Sequence, residues 1–177
     1  MSRVTSAMGT APKRKALPIT YQMHTARLNT NTSDEFIEIH PERFEEEFVD
    51  CSVCIRLRNW NSRKEESWTV IKTDDISLSV IAIRELQNEL DRWLMSQSVG
   101  ISSFSGHFSL GHNPSNKLDF HFEPRADTIA SADKPVVTIE FSSGTTHIEF
   151  RFVTDQSCLG LFAMTLSQLF NDGEARK

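Results

Sequence analysis

Hydrophobic and polar positions alternate with a period of two over much of the chain and switch to a helical period in two places. Cys51, Val53, Ile55 and Leu57 alternate with Ser52, Cys54, Arg56 and Arg58, which predicts a strand with one buried face. Trp68-Thr69-Val70-Ile71 resumes a strand after a polar connection from Asn59 to Glu66. Val80, Ile83, Leu86, Leu90, Trp93 and Leu94 then fall on one side of a helix, with Arg84, Glu85, Glu89, Asp91 and Arg92 mostly on the other. Thr73, Asp74, Asp75 and Ser77 supply the short oxygen side chains that open a helix, and Gly100 is a natural stop.

Four further strands follow. Phe104, Gly106, Phe108 and Leu110 alternate with Ser105, His107 and Ser109; beyond a turn at Gly111 to Lys117, containing Asn113-Pro114, Leu118, Phe120 and Phe122 alternate with Asp119, His121 and Glu123. A loop from Pro124 to Pro135 leads to Val137, Ile139 and Phe141, then Ser142-Ser143-Gly144-Thr145, then Ile148, Phe150 and Phe152. Making the apolar faces coincide predicts Leu110 opposite Leu118, Phe108 opposite Phe120, Ile139 opposite Ile148 and Val137 opposite Phe150. A second helix starts at Thr154-Asp155-Gln156-Ser157 and carries Leu159, Phe162, Ala163, Leu166, Leu169 and Phe170, with so little charge that substantial burial is expected. Both helices follow a strand through Thr-Asp, a match that internal duplication or shared capping chemistry explains equally well. The pattern predicts an α+β fold: an antiparallel β-meander sheet packed with two amphipathic helices.

Toward the N-terminus the pattern fades. Phe36 to Ile39 reads as a short strand stopped by His40-Pro41, and Pro41 is expected to open a helical turn that sets Phe44 and Phe48 on one side. Residues 1–33 are rich in Thr, Ser, Ala and Asn, have no hydrophobic period, and are expected to be a disordered basic tail ahead of a single domain at 34–177. Met23 is an alternative start. The tail holds five basic residues (Arg3, Lys13, Arg14, Lys15 and Arg27) and no acid. Of 19 basic and 24 acidic residues in the chain, 14 and 24 therefore remain in the body, a net charge of −10. Such a body disfavours nucleic acid as a partner, because phosphate binding needs clustered Lys and Arg. It suits a basic protein partner, or simply solubility.

The longest apolar run, Leu78 to Ile83, is broken by Ser79 and too short to span a bilayer. With no signal peptide in evidence and three cysteines, an odd number, a reducing cytoplasmic setting is expected.

Several residues raise the question of chemistry. Cys51-Ser-Val-Cys54 is a CxxC, but it falls on a strand, where a spacing of three sends the thiols to opposite faces, and no second ligand pair completes a zinc site. The proposed register sets His107 opposite His121 with Asp119 and Glu123 nearby, a donor set that suits zinc or a pH-sensitive patch. The plainer reading is a solvated strand face, so no metal, cofactor or catalytic residue is assigned. Gly106-His-Phe-Ser109-Leu-Gly111 is not a GxSxG elbow, since an extra residue precedes the serine.

From Cys51 to Phe170 the order of elements resembles the WapI-type bacterial immunity proteins. The shared features are Trp68-Thr-Val-Ile71, the helix Ile83-Arg-Glu-Leu86-Gln-Asn-Glu-Leu90, Gly106-His-Phe-Ser-Leu110, Leu118-Asp-Phe-His-Phe122, Ile148-Glu-Phe-Arg-Phe152 and Thr154-Asp-Gln-Ser-Cys-Leu159. The resemblance implies a protein that neutralises a cognate toxin by binding it, and it leaves the basic tail unexplained. On this reading the partner-binding surface is the polar strand face of Ser105, His107, Asp119, His121, Glu123, Glu140, His147, Glu149 and Arg151, with the exposed run Glu45, Glu46 and Glu47. The alternatives are a small metal- or ligand-binding protein using His107 and His121, and a structural or assembly subunit recognised by self-association.

Overall fold

The computed structural model describes residues 24–32, 34–60, 66–97, 103–113, 116–124 and 134–174. Expectations placed on Lys13-Arg14-Lys15, the interior of the 59–66 connection, Gly100, Pro114 and most of the 124–135 loop lie outside them. The chain is built as four antiparallel strands and a helix, twice over. Strands β1 (Ala26–Asn29), β2 (Phe36–Phe44), β3 (Phe48–Trp60) and β4 (Glu66–Ser79) form one sheet in chain order, followed by α1 (Val80–Ser96). Strands β5 (Gly106–Ser109), β6 (Asn116–Glu123), β7 (Val136–Ser143) and β8 (Thr146–Val153) form the second, followed by α2 (Gln156–Glu174). The α+β meander expected from the pattern is present, divided into two sheets.

The two halves lock together through reciprocal crossings. At the end of β4, Ser79 N–H donates to the Leu110 carbonyl and His112 N–H to the Ser77 carbonyl, both at 2.8 Å, just after β5. At the end of β8, the Val153 carbonyl accepts from Asn31 N–H at 3.0 Å, just after β1. Each sheet's last strand thus reaches the segment following the other sheet's first strand. Gly111 permits one of these crossings: a Cβ there would run into the Asn116 carbonyl and come within 3.1 Å of Lys117 Cα.

Inward residues of both sheets and both helices make one core. Leu28, Ile37, Ile39, Val53 and Ile55 come from the first sheet; Leu118, Phe120, Phe122, Ile139 and Phe141 from the second. Helix α1 contributes Ile83, Leu86, Leu90 and Trp93, and α2 contributes Leu159, Phe162 and Leu166. Phe120 and Phe162 rings lie 5.8 Å apart, and Trp93 packs on Phe104 at 5.5 Å.

Four local expectations are corrected. Residues 26–29, placed in the disordered tail, form β1: Ala26 and Leu28 are fully buried, and Arg27 N–H donates to Thr165 Oγ1 of α2. A four-residue strand is too short to show a period, and beyond its ladder to β2 its contacts are with residues remote in sequence, Thr165 and Thr154. Pro41 lies within β2 and opens no helix; a register shift between Pro41 and Arg43 accommodates the residue that lacks an N–H. The chain turns instead at 45–47, where Glu45 N–H donates to the Phe48 carbonyl.

Thr73, Asp74, Asp75 and Ser77 do not start α1. Strand β4 continues through them, with Thr73 opposite Val53 and Ile76 opposite Cys51, so β4 carries one extra residue at Asp74-Asp75. The bulge moves the inward positions from Ile71 and Thr73 to Ile76 and Leu78, which is why the alternation looked broken. The cap of α1 is Ser79, whose Oγ accepts from Ala82 N–H at 3.3 Å. Helix α2 does begin where expected, with Asp155 Oδ1 accepting from Cys158 N–H at 2.9 Å.

In the second sheet, Phe108 faces Phe120 as expected, and Leu110 N–H donates to the Leu118 carbonyl. Ile139, however, faces Phe150 and Val137 faces Phe152, two residues from the predicted register. The β7–β8 loop contains only Gly144 and Thr145, and Gly144 takes φ 57°, the left-handed value a tight hairpin needs. A slip of two keeps every side chain on its face.

Candidate functional surface

The outward face of the second sheet is a grid set by three ladders. One row across the strands runs His107, His121, Thr138, Arg151. The next runs Ser109, Asp119, Glu140, Glu149. Eight of the predicted surface residues therefore share one sheet face: His107, Asp119, His121, Glu123, Glu140, His147, Glu149 and Arg151.

Their environments differ. Glu123 lies 3.5 Å from His121 Nε2 and accepts from Arg151 Nη2 at 3.0 Å, so Arg151 balances its charge. His147 Nδ1 sits 2.8 Å from Ser142 Oγ. Asp119 is buried, at 8% exposure, because the Ser109 hydroxyl donates to its Oδ1 at 2.6 Å while β5 and β7 flank it. Its Oδ2 lies 3.9 Å from His107 Nε2. Glu140 and Glu149 are exposed and have no ion-pair or hydrogen-bond partner among the described residues. Three carboxylates thus stand side by side on three adjacent strands, and the two on β7 and β8 have no ion-pair partner among the described residues.

The histidines meet as the register predicted. His107 is directly opposite His121, with ring centroids 5.7 Å apart. Among the described residues, no three His, Cys, Asp or Glu side chains converge as a bound metal ion requires. Glu45, Glu46 and Glu47 lie elsewhere, exposed in the β2–β3 turn of the first sheet. That turn abuts the start of α1 through the Glu47 carbonyl, which accepts from Val80 N–H at 3.0 Å. It reaches the β5–β6 connection through Phe48, stacked on His112 at 4.9 Å.

Burial holds all three thiols toward the protonated form. Cys51 points inward and Cys54 outward, as a strand spacing of three dictates, and burial pushes both upward from the ordinary thiol pKa. Burial does the same to Cys158.

Pattern reading gave no weight to the outward face of the first sheet. There a cavity of about 330 Å³ is lined by Glu38, His40, Ser52, Cys54, Lys72 and Asp74. His40 Nε2 lies 3.3 Å from Glu38, and its Nδ1 lies 3.0 Å from Thr25 Oγ1. Beside it, Arg27 covers the Phe36 ring at 3.8 Å and Arg56 covers Trp68 at 4.0 Å. The alternation from Cys51 to Arg58 places Ser52, Cys54 and Arg56 on one face, but reading His40 as a strand stop and Asp74 as a helix start hides the cluster they belong to.

No family model, curated protein or solved structure matches the chain. Among the described residues, no helix is long and apolar enough to cross a membrane.

Proposed function

We propose that the protein is a non-enzymatic binding protein that occupies a basic protein partner through the outward face of β5–β8. The observation that carries this reading is the row Asp119, Glu140, Glu149, in which two exposed carboxylates face each other across a ladder with no ion-pair partner among the described residues. Like charges placed directly opposite destabilise a sheet. A cationic side chain brought by a partner relieves that repulsion, so part of the binding free energy is already stored in the free protein. The net charge of −10 beyond residue 33 adds long-range steering toward a basic surface. It also repels phosphate, which disfavours nucleic acid as the ligand.

The specific role that fits best is immunity: neutralising a cognate bacterial toxin in the cytoplasm. A toxin that acts on RNA or DNA needs a basic cleft, and a carboxylate row on a rigid sheet fills such a cleft. The motifs shared with WapI-type immunity proteins, from Trp68-Thr-Val-Ile71 to Ile148-Glu-Phe-Arg-Phe152, support this role. The test is capture: the tagged protein, expressed in its host, should retain one stoichiometric basic partner whose toxicity is relieved by co-expression. Capture of no protein, or of an acidic one that is unaffected by salt, contradicts it.

A further inference from the structure

The carboxylate row on the outward face of β5–β8 is bracketed by imidazoles. On one side of Asp119, Glu140 and Glu149 runs the row that begins His107, His121. On the other side runs Lys117, Ser142, His147. Each histidine has carboxylates around it. Asp119 Oδ2 is 3.9 Å from His107 Nε2, and Glu123 Oε1 is 3.5 Å from His121 Nε2. Across the β6–β7 ladder His121 faces Thr138, beyond which Arg151 donates to Glu123. Glu149 is two residues along β8 from His147, Glu140 stands diagonally across from it on β7, and Lys117 lies one strand beyond Ser142.

The face therefore holds four carboxylates, Asp119, Glu123, Glu140 and Glu149, against two fixed cations, Lys117 and Arg151. With neutral imidazoles its net charge is −2, and with three imidazolium ions it is +1. All three rings are open to solvent, with the side chains of His107 and His121 60% and 53% exposed.

We propose that His107, His121 and His147 make this face a pH-gated surface, which holds a cationic protein partner at neutral pH and releases it on acidification. The proposal rests on the reading of the face as the partner-binding surface. Imidazole changes charge between about pH 8 and 5, an interval over which carboxylates, lysine and arginine keep theirs. The sign of the face is thus set by its histidines. A lysine or arginine brought against Glu140 and Glu149 lies beside both imidazole rows. It disfavours their protonation, and their protonation disfavours it by the same factor. The other three of the chain's six histidines are placed elsewhere: His24 precedes β1, His40 is on β2, and His112 stacks on Phe48 of the first sheet.

The test uses rhodamine-labelled octa-arginine, a probe whose own charge is constant over this interval, titrated with the full chain by fluorescence anisotropy. At about 0.15 M salt, charges more than about 8 Å apart are largely screened, which confines the effect to groups near the probe. Three exposed charge contacts of a few-fold each multiply to about tenfold, so the dissociation constant should rise about tenfold from about pH 7.5 to about pH 5.5. A variant with His107→Gln, His121→Gln and His147→Gln should change less than about twofold over the same interval, and His121→Gln alone should fall between the two. The substituted side chains are exposed, and an unaltered far-UV spectrum confirms folding. A wild-type affinity that is the same at both pH values overturns the proposal, as does a triple variant as pH-sensitive as the wild type. Failure of the underlying reading looks different. If the probe does not bind at neutral pH, or binds a Glu140→Gln, Glu149→Gln variant as tightly as the wild type, the face is not the binding surface and the gate falls with it.

Discussion

Glu140 and Glu149 stand directly opposite each other on the exposed side of the β7–β8 ladder, and neither has an ion-pair partner among the described residues. Removing one charge should therefore stabilise the free protein. Glu149→Gln is expected to raise unfolding free energy by about 0.2–1 kcal/mol, the size of a cross-strand charge effect. The gain should shrink as salt is added, since exposed charges are screened. Denaturant titrations at low and high ionic strength measure both. A loss of stability in Glu149→Gln would mean that these carboxylates have favourable partners in the fold.

Asp50 ties three strands together. Its Oδ1 accepts from Ser77 Oγ of β4 at 2.6 Å, and its Oδ2 from Arg43 of β2 at 2.6 and 2.9 Å. The Ser77 hydroxyl chiefly, and the Arg43 guanidinium with it, hold the carboxyl below the usual range against the upward pull of burial. A depressed folded-state pKa means the contribution is complete above the unfolded value of about 3.9 and is lost as pH falls through the folded one. Asp50→Asn should thus cost about 1–2 kcal/mol at neutral pH, with the difference from wild type narrowing below about pH 4. A difference independent of pH would contradict the pairing.

The bulge in β4 leaves Thr73 Oγ1 buried, with no hydrogen-bond partner among the described residues. Thr73→Val keeps the shape and removes the unsatisfied hydroxyl, so it should stabilise by roughly 1 kcal/mol. Thermal unfolding measures this, and a lower midpoint would place a partner on that hydroxyl.

Strand β1 is part of the core, and Leu28 within it is fully buried. Leu28→Ala should cost about 2–5 kcal/mol, as buried leucines do. If residues 26–29 were a loose tail, the substitution would leave the denaturation midpoint unmoved.

How much of this was legible in the sequence depended on which physical signal each element carries. Strands β5 to β8 announce themselves because apolar residues, with Phe among them on every strand, recur at alternate positions. The β5–β6 register followed from matching those faces, and with it the His107–His121 pair. The β7–β8 register did not: a period of two cannot tell a ladder from one shifted by two. Gly144, the residue that tightens that turn, decided it. With the register two residues out, Glu140 falls opposite His147, and the Glu140–Glu149 pair stays hidden. Strand β1 was lost in a Thr- and Asn-rich stretch because four residues are too few to show a period, and its contacts beyond β2, with Thr165 and Thr154, are far along the chain. The bulge at Asp74-Asp75 imitated a helix start, since acidic and hydroxyl side chains suit both. Outward faces could be read from alternation, but the burial of Asp119 needed Ser109 and two neighbouring strands to bring it about.

The most direct test of the account is capture from the host by wild-type protein beside a Glu140→Lys, Glu149→Lys double variant, with bound proteins identified by mass spectrometry. The account predicts one basic partner on the wild type, weakened by salt and absent from the double variant, whose unfolding transition stays cooperative. Equal capture by both proteins would contradict the carboxylate row as the binding surface.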